Sequence, residues 1–112
     1  MKRFAAAALL AMLETSPAHA QADRVTPIAE AQRGALVTVH GTVERIRDED
    51  EFTLTDASGS IRVYVGRSGV PTAVGEVVSV SGRLDDGLGP RELYARALTR
   101  ADGTVVAFDH RY

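Results

Sequence analysis

The chain has 112 residues, 13 basic and 15 acidic, with a formal net charge of −2 and no cysteine. The missing thiols exclude a disulfide framework, thiolate metal or redox chemistry and a lipid-anchored lipoprotein. The slightly acidic balance is the reverse of what nucleic-acid binders usually carry.

Residues 1–20 have the form of a secretory signal peptide. Lys2-Arg3 is a charged start, Phe4 to Leu13 is an apolar run, and Ala18-His19-Ala20 offers the small-x-small pattern cut by signal peptidase. The apolar run is well short of the roughly 20 residues that span a bilayer as a helix. Cleavage after Ala20 is therefore expected, giving an exported protein, periplasmic where the cell has two membranes, with no membrane span left. Loss of Lys2, Arg3 and Glu14 leaves 11 basic and 14 acidic residues, a net charge of −3 over 92 residues. That length suits one domain.

Residues 21–35 read as a lead-in followed by a short helix of about two turns. Thr26 supplies a hydroxyl cap, Pro27 stands at the first helical position, and the helix runs on to Gly34. Residues 36–99 alternate apolar and polar side chains in five segments: Leu36 to Arg47, Phe52 to Thr55, Ile61 to Val65, Glu76 to Leu84 and Glu92 to Thr99. This is the period of half-buried antiparallel strands. The acidic run Asp48-Glu-Asp-Glu51 and the tight Asp56-Ala-Ser-Gly59 are turns. Gly66 to Gly75 is a loop with room for one helical turn, and Asp85 to Pro90 is a second loop. Residues 100–112 form a tail in which Val105 to Phe108 can pair as a sixth strand, cover the barrel end or contact a partner.

Val37-Thr-Val-His-Gly-Thr-Val43 and Val78-Ser-Val-Ser-Gly-Arg-Leu84 share one pattern, a glycine after two inward valines, where a strand can coil sharply from one sheet into another. Two bending strands predict an all-β fold, a five-stranded Greek-key barrel with a short N-terminal helix. Taken literally, the alternation turns Val37, Val39, Val43, Phe52, Leu54, Ile61, Val63, Val65, Val78, Val80, Leu84, Leu93 and Ala95 inward. Thr38, His40, Thr42, Glu44, Thr53, Thr55, Arg62 and Tyr64 then face out on strands one to three, where such barrels commonly bind ligands.

The run Val-x-Val-x-Gly-x-Val, then Phe52-x-Leu-x-Asp56-x-x-Gly59-x-Ile61-x-Val63, then Gly75-x-x-Val78-x-Val80-x-Gly82-x-Leu84, resembles the strand signature of OB-folds. With the leader and the Thr-Pro-Ile-x-Glu-Ala helix, it is similar to the bacterial OB-fold (BOF) family of YgiW/YdeI-type periplasmic stress-tolerance proteins, over about Thr26 to Leu98. The tail beyond the last barrel strand and the scarcity of lysine and tryptophan depart from that pattern. The resemblance implies an OB-fold barrel and a non-enzymatic protein linked to envelope stress, with no catalytic residue to carry over.

The individual residues fit that expectation. His40 and His110 lack metal-ligand spacing, and Asp48 to Glu51 lacks the alternating ligands and central glycine of a calcium loop. Ser58 lies in a hairpin turn and not in a Gly-x-Ser-x-Gly elbow. No metal, cofactor or catalytic residue is expected. The candidate ligand-binding residues are His40, Thr42, Thr53, Thr55, Arg62 and Tyr64, for a small molecule, glycan or peptide of the cell envelope. The alternative is an exported OB-fold domain that binds single-stranded nucleic acid or nucleotides through Arg62 and Tyr64. One stacking residue, worth about 1–3 kcal/mol, is a weak platform for that on a chain of this charge.

Overall fold

The computed structural model describes residues 24–109. The leader and its cleavage site, and His110 in the tail, lie outside them. Six strands follow in chain order: β1 (Leu36–Asp48), β2 (Glu51–Asp56), β3 (Gly59–Tyr64), β4 (Val77–Leu84), β5 (Glu92–Thr99) and β6 (Val105–Ala107). They are hydrogen-bonded in the order β3-β2-β1-β4-β5-β6, and β3 also pairs with β5. That parallel pairing, from Arg62 opposite Glu92 to Tyr64 opposite Tyr94, closes the first five strands into a barrel.

β1 is long because it serves both halves of the barrel. Its first part, Leu36 to Thr42, pairs with β4, and its second, from Thr42 onward, pairs with β2. The transfer is made beside Gly41, where a Cβ would collide with the backbone carbonyl oxygen of Thr55. Gly82 stands in the same relation to the carbonyl oxygen of Tyr94. The two glycines thus let neighbouring backbones come closer than any side chain permits.

Twelve of the thirteen residues expected to point inward are buried. Val37 is the exception, half-buried at the open end of β1, where it packs against the core without being sealed into it. Ile28, Ala31, Leu98 and Phe108 complete the core. Leu98 falls out of phase with Leu93 and Ala95 because the register shifts between Ser81 and Gly82, leaving one extra residue, Arg96, on β5. β6 pairs antiparallel with β5 from Ala97–Ala107 to Thr99–Val105. The tail is therefore a sixth strand that carries Phe108 onto the core.

The two-turn helix is not formed. In its place stands a single 3-10 turn, Ile28–Glu30, with Pro27 as its N-cap residue and Ala31 already extended at ψ 132°. Other parts of the chain hold the segment on both sides of this turn. Thr26 N–H donates to the Thr38 carbonyl at 2.7 Å, holding the lead-in beside β1. The Arg91 guanidinium donates to the carbonyls of Ala31 and Ile28 at 2.7 and 3.0 Å. The cap comes from the β2–β3 turn and not from Thr26, for the Asp56 carboxylate accepts from Ile28 N–H at 3.0 Å and Ser58 Oγ from Ala29 N–H at 2.9 Å. The helical turn expected after β3 is present as a 3-10 turn, Gly66–Ser68.

Candidate functional site

Strand alternation and barrel closure together build one outward surface from β2, β3 and β5. Phe52, Leu54, Ile61, Val63, Leu93 and Ala95 are inward, so Glu51, Thr53, Thr55, Arg62, Tyr64, Glu92 and Tyr94 are turned out. The pairings sort them into rows: Thr42, Thr55 and Ser60; then Thr53, Arg62 and Glu92; then Glu51, Tyr64 and Tyr94.

The first row is occupied with its own turn. Thr55 Oγ1 donates to the Gly59 carbonyl at 3.2 Å and accepts from Ser60 Oγ at 3.1 Å. Beside it Asp56 accepts from the Ser58 N–H at 2.7 Å, the Ser58 hydroxyl at 2.6 Å and the Gly59 N–H at 3.1 Å. Its slight burial works to raise the Asp56 pKa, but the bonds from Ser58, Ile28 and Gly59 outweigh it and hold the carboxyl below its ordinary value of 3.8. These groups shape the hairpin and anchor the first 3-10 turn.

The second and third rows carry the chemistry. Tyr64 and Tyr94 meet edge to face, with centroids 6.0 Å apart and planes at 89°, a favoured aromatic geometry. Glu51, only 19% exposed at its side chain, lies 3.8 Å from Arg62 Nε and 3.9 Å from Arg47 Nε through Oε2. That oxygen and Thr53 Oγ1 are both buried without a hydrogen-bond partner among the described residues. Burial raises the Glu92 pKa; the charge of Glu51 and a hydrogen bond with it push further the same way, and Arg62 pulls against them. Burial likewise raises the Tyr94 phenol, assisted by the negative charge of Asp85, Glu92 and Asp86. The surface is thus a paired tyrosine edge set among carboxyls, with the guanidiniums of Arg62 and Arg47 already turned to Glu51. Such a surface suits a ligand that presents a cationic group and a flat or apolar body.

The six candidate residues divide. Thr53, Arg62 and Tyr64 lie together on this surface, while Thr42 and Thr55 lie one row away. His40 belongs to a different neighbourhood: it pairs with Ser79 on β4, its Nδ1 2.8 Å from Ser79 Oγ. Sequence reasoning missed Glu51, Glu92 and Tyr94. The inward Leu93 and Ala95 already implied that Glu92 and Tyr94 face out, but only the parallel β3–β5 closure shows that they stand beside Arg62 and Tyr64. Among the described residues no group of three or more histidines or carboxylates could hold a metal ion, and no helix is long and apolar enough to cross a membrane.

A family model described as bacterial OB fold (BOF) protein matches residues 14–107, and the chain belongs to that family. Among solved structures, one described as the hypothetical protein ygiW from E. coli superposes with a TM-score of 0.62 at 21% identity, over 71% of this chain and 92% of that one. At that identity the likeness is one of fold. No curated protein sequence matches.

Proposed function

We propose that this member of the bacterial OB-fold family is a non-enzymatic periplasmic protein that binds a small envelope ligand or peptide bearing a cationic group, as part of stress tolerance. The observation that carries the reading is the Glu51–Glu92 carboxyl pair beside the crossed rings of Tyr64 and Tyr94. Two carboxyls brought together at a partly buried place disfavour each other's charge. A bound ammonium or guanidinium relieves that conflict and gains a cation–π contact of about 0.5–2 kcal/mol with a tyrosine face. The leader sequence supports export, and the family membership supports the barrel face as the place of binding.

Single-stranded nucleic acid is the competing ligand class, since Arg62 and Tyr64 share the surface. The Arg62–Glu51 pairing and the surrounding carboxylates disfavour a phosphate backbone there. Calorimetry with a tetra-arginine peptide at pH 5, in two buffers of different ionisation enthalpy, tests the reading. Binding with proton release is expected, since the cation favours ionised Glu92, and Tyr64→Ala is expected to weaken it about tenfold, the scale of one such contact. Binding of oligothymidylate in place of the peptide, lost steeply with salt, would overturn it.

A further inference from the structure

We infer that the opposite side of the barrel carries a second site, for a free amphiphile with one anionic headgroup, a carboxylate or phosphate monoester, on an aliphatic chain. A groove of about 470 Å³ is lined there by Arg24, Thr26, Leu36, Thr38, Ser81 and Arg96, a volume within the range of small-molecule sites. Its floor is the β1–β4 pairing of Val37 with Gly82 and Thr38 with Ser81. The lead-in forms one wall, fixed by the Thr26 N–H bond to the Thr38 carbonyl.

Arg96 reaches this groove because it is the extra residue at the β4–β5 register shift, where Ser81 pairs with Ala97 and Gly82 with Ala95. Bulges commonly re-aim a side chain in this way. Among the described residues Arg24 and Arg96, like Arg33, Arg45, Arg67 and Arg91, have no carboxylate within ion-pairing distance, whereas Arg47, Arg62, Arg83 and Arg100 each do; what sets the first two apart is that they share one groove. Two guanidiniums without carboxylate partners and three hydroxyls, from Thr26, Thr38 and Ser81, are donors for one anionic head. Leu36, 64% exposed, and the half-buried Val37 offer the apolar surface for the chain. The groove shares no residue with the tyrosine–carboxyl surface and asks for the opposite charge, so the two readings stand or fall separately.

The test is an amide NMR titration of the protein lacking residues 1–20 with dodecanoate and dodecyl phosphate below micelle formation, beside dodecyltrimethylammonium and inorganic phosphate. Saturable shifts at Thr38, Ser81, Gly82 and Arg96 are expected from both anionic amphiphiles, the stronger of the two naming the preferred head. Affinity should fall about tenfold, the effect of one charge-assisted hydrogen bond, in Arg96→Gln. Leu36→Asp, at an exposed position that leaves the fold intact, should abolish it. Equal shifts from the ammonium amphiphile, equal shifts from inorganic phosphate, or no saturable shifts from either anionic amphiphile would overturn the proposal.

Discussion

Asp56 holds Ile28 against the barrel: its Oδ2 accepts the Ile28 N–H at 3.0 Å, while Oδ1 takes the Ser58 and Gly59 N–H groups of its own turn. One carboxylate therefore closes the β2–β3 hairpin and starts the 3-10 turn that seals Ile28 into the core. Asp56→Ala is expected to cost about 1–2 kcal/mol, the scale of a lost cap, seen as a lower urea midpoint with an unchanged slope. The depressed pKa means that this contribution is present above 3.8 and fades as acid protonates the folded carboxyl.

Glu76 and Arg100 form the second long-range tie. Glu76 accepts from Arg100 at 3.0 and 3.1 Å, from Thr72 at 2.7 Å and from Ala101 N–H at 3.1 Å, joining the loop before β4 to the turn after β5. The Arg100 and Thr72 bonds bring its pKa from 4.5 to about 2. A lowered folded-state pKa stabilises fully above 4.5, and that stabilisation is lost as pH falls toward 2. Glu76→Gln should therefore lower Tm at pH 7 and leave Tm less dependent on pH between 4.5 and 2, as thermal melts across that range will read.

The glycines that bring strands together tolerate no side chain. Gly41→Ala drives a Cβ into the Thr55 carbonyl oxygen, and Gly82→Ala into that of Tyr94. Each is expected to cost about 3 kcal/mol or more, since the obstacle is backbone within a closed barrel and cannot turn aside. Gly103→Ala, in open space though at φ +91°, should cost about 1 kcal/mol by backbone strain alone. Chemical denaturation of the three variants separates steric closure from conformational preference.

β6 matters through the residue that follows it. Phe108 is 8% exposed, and its N–H donates to the Arg96 carbonyl at 2.9 Å. Phe108→Ala is expected to lose about 3 kcal/mol, as for other buried phenylalanines, whereas Val105→Ala, at an exposed edge position, should lose less than about 0.5 kcal/mol.

The strands, most of their inward residues and the positions of the two special glycines were legible because a period of two, and a glycine set within it, are local facts of sequence; the close approach to Thr55 and Tyr94 that those glycines allow is made between strands and was not. Thr26-Pro27 misled for a reason that is not local: the carbonyls of Ile28 and Ala31 are claimed by Arg91, some sixty positions away. Leu98 was missed because a one-residue bulge at Arg96 reverses the faces of β5. Half of the tyrosine–carboxyl surface was hidden likewise, for Arg62 and Tyr64 could be assigned to an outer face, but Glu92 and Tyr94 join them only when β3 and β5 meet in parallel. His40 carried the right facing and the wrong neighbours, since β1 leaves it beside Ser79 and not beside Tyr64.

Binding at this surface is read first by an amide NMR titration of the protein lacking residues 1–20, adding tetra-arginine peptide and, in a parallel sample, oligothymidylate at low salt. Cation binding at the tyrosine–carboxyl surface requires saturable shifts from the peptide at Glu51, Thr53, Arg62, Tyr64, Glu92 and Tyr94, with His40 unmoved and the oligonucleotide without effect on that surface. No saturable shift from the peptide, or saturable oligonucleotide shifts at Thr53, Arg62 and Tyr64, would contradict that binding.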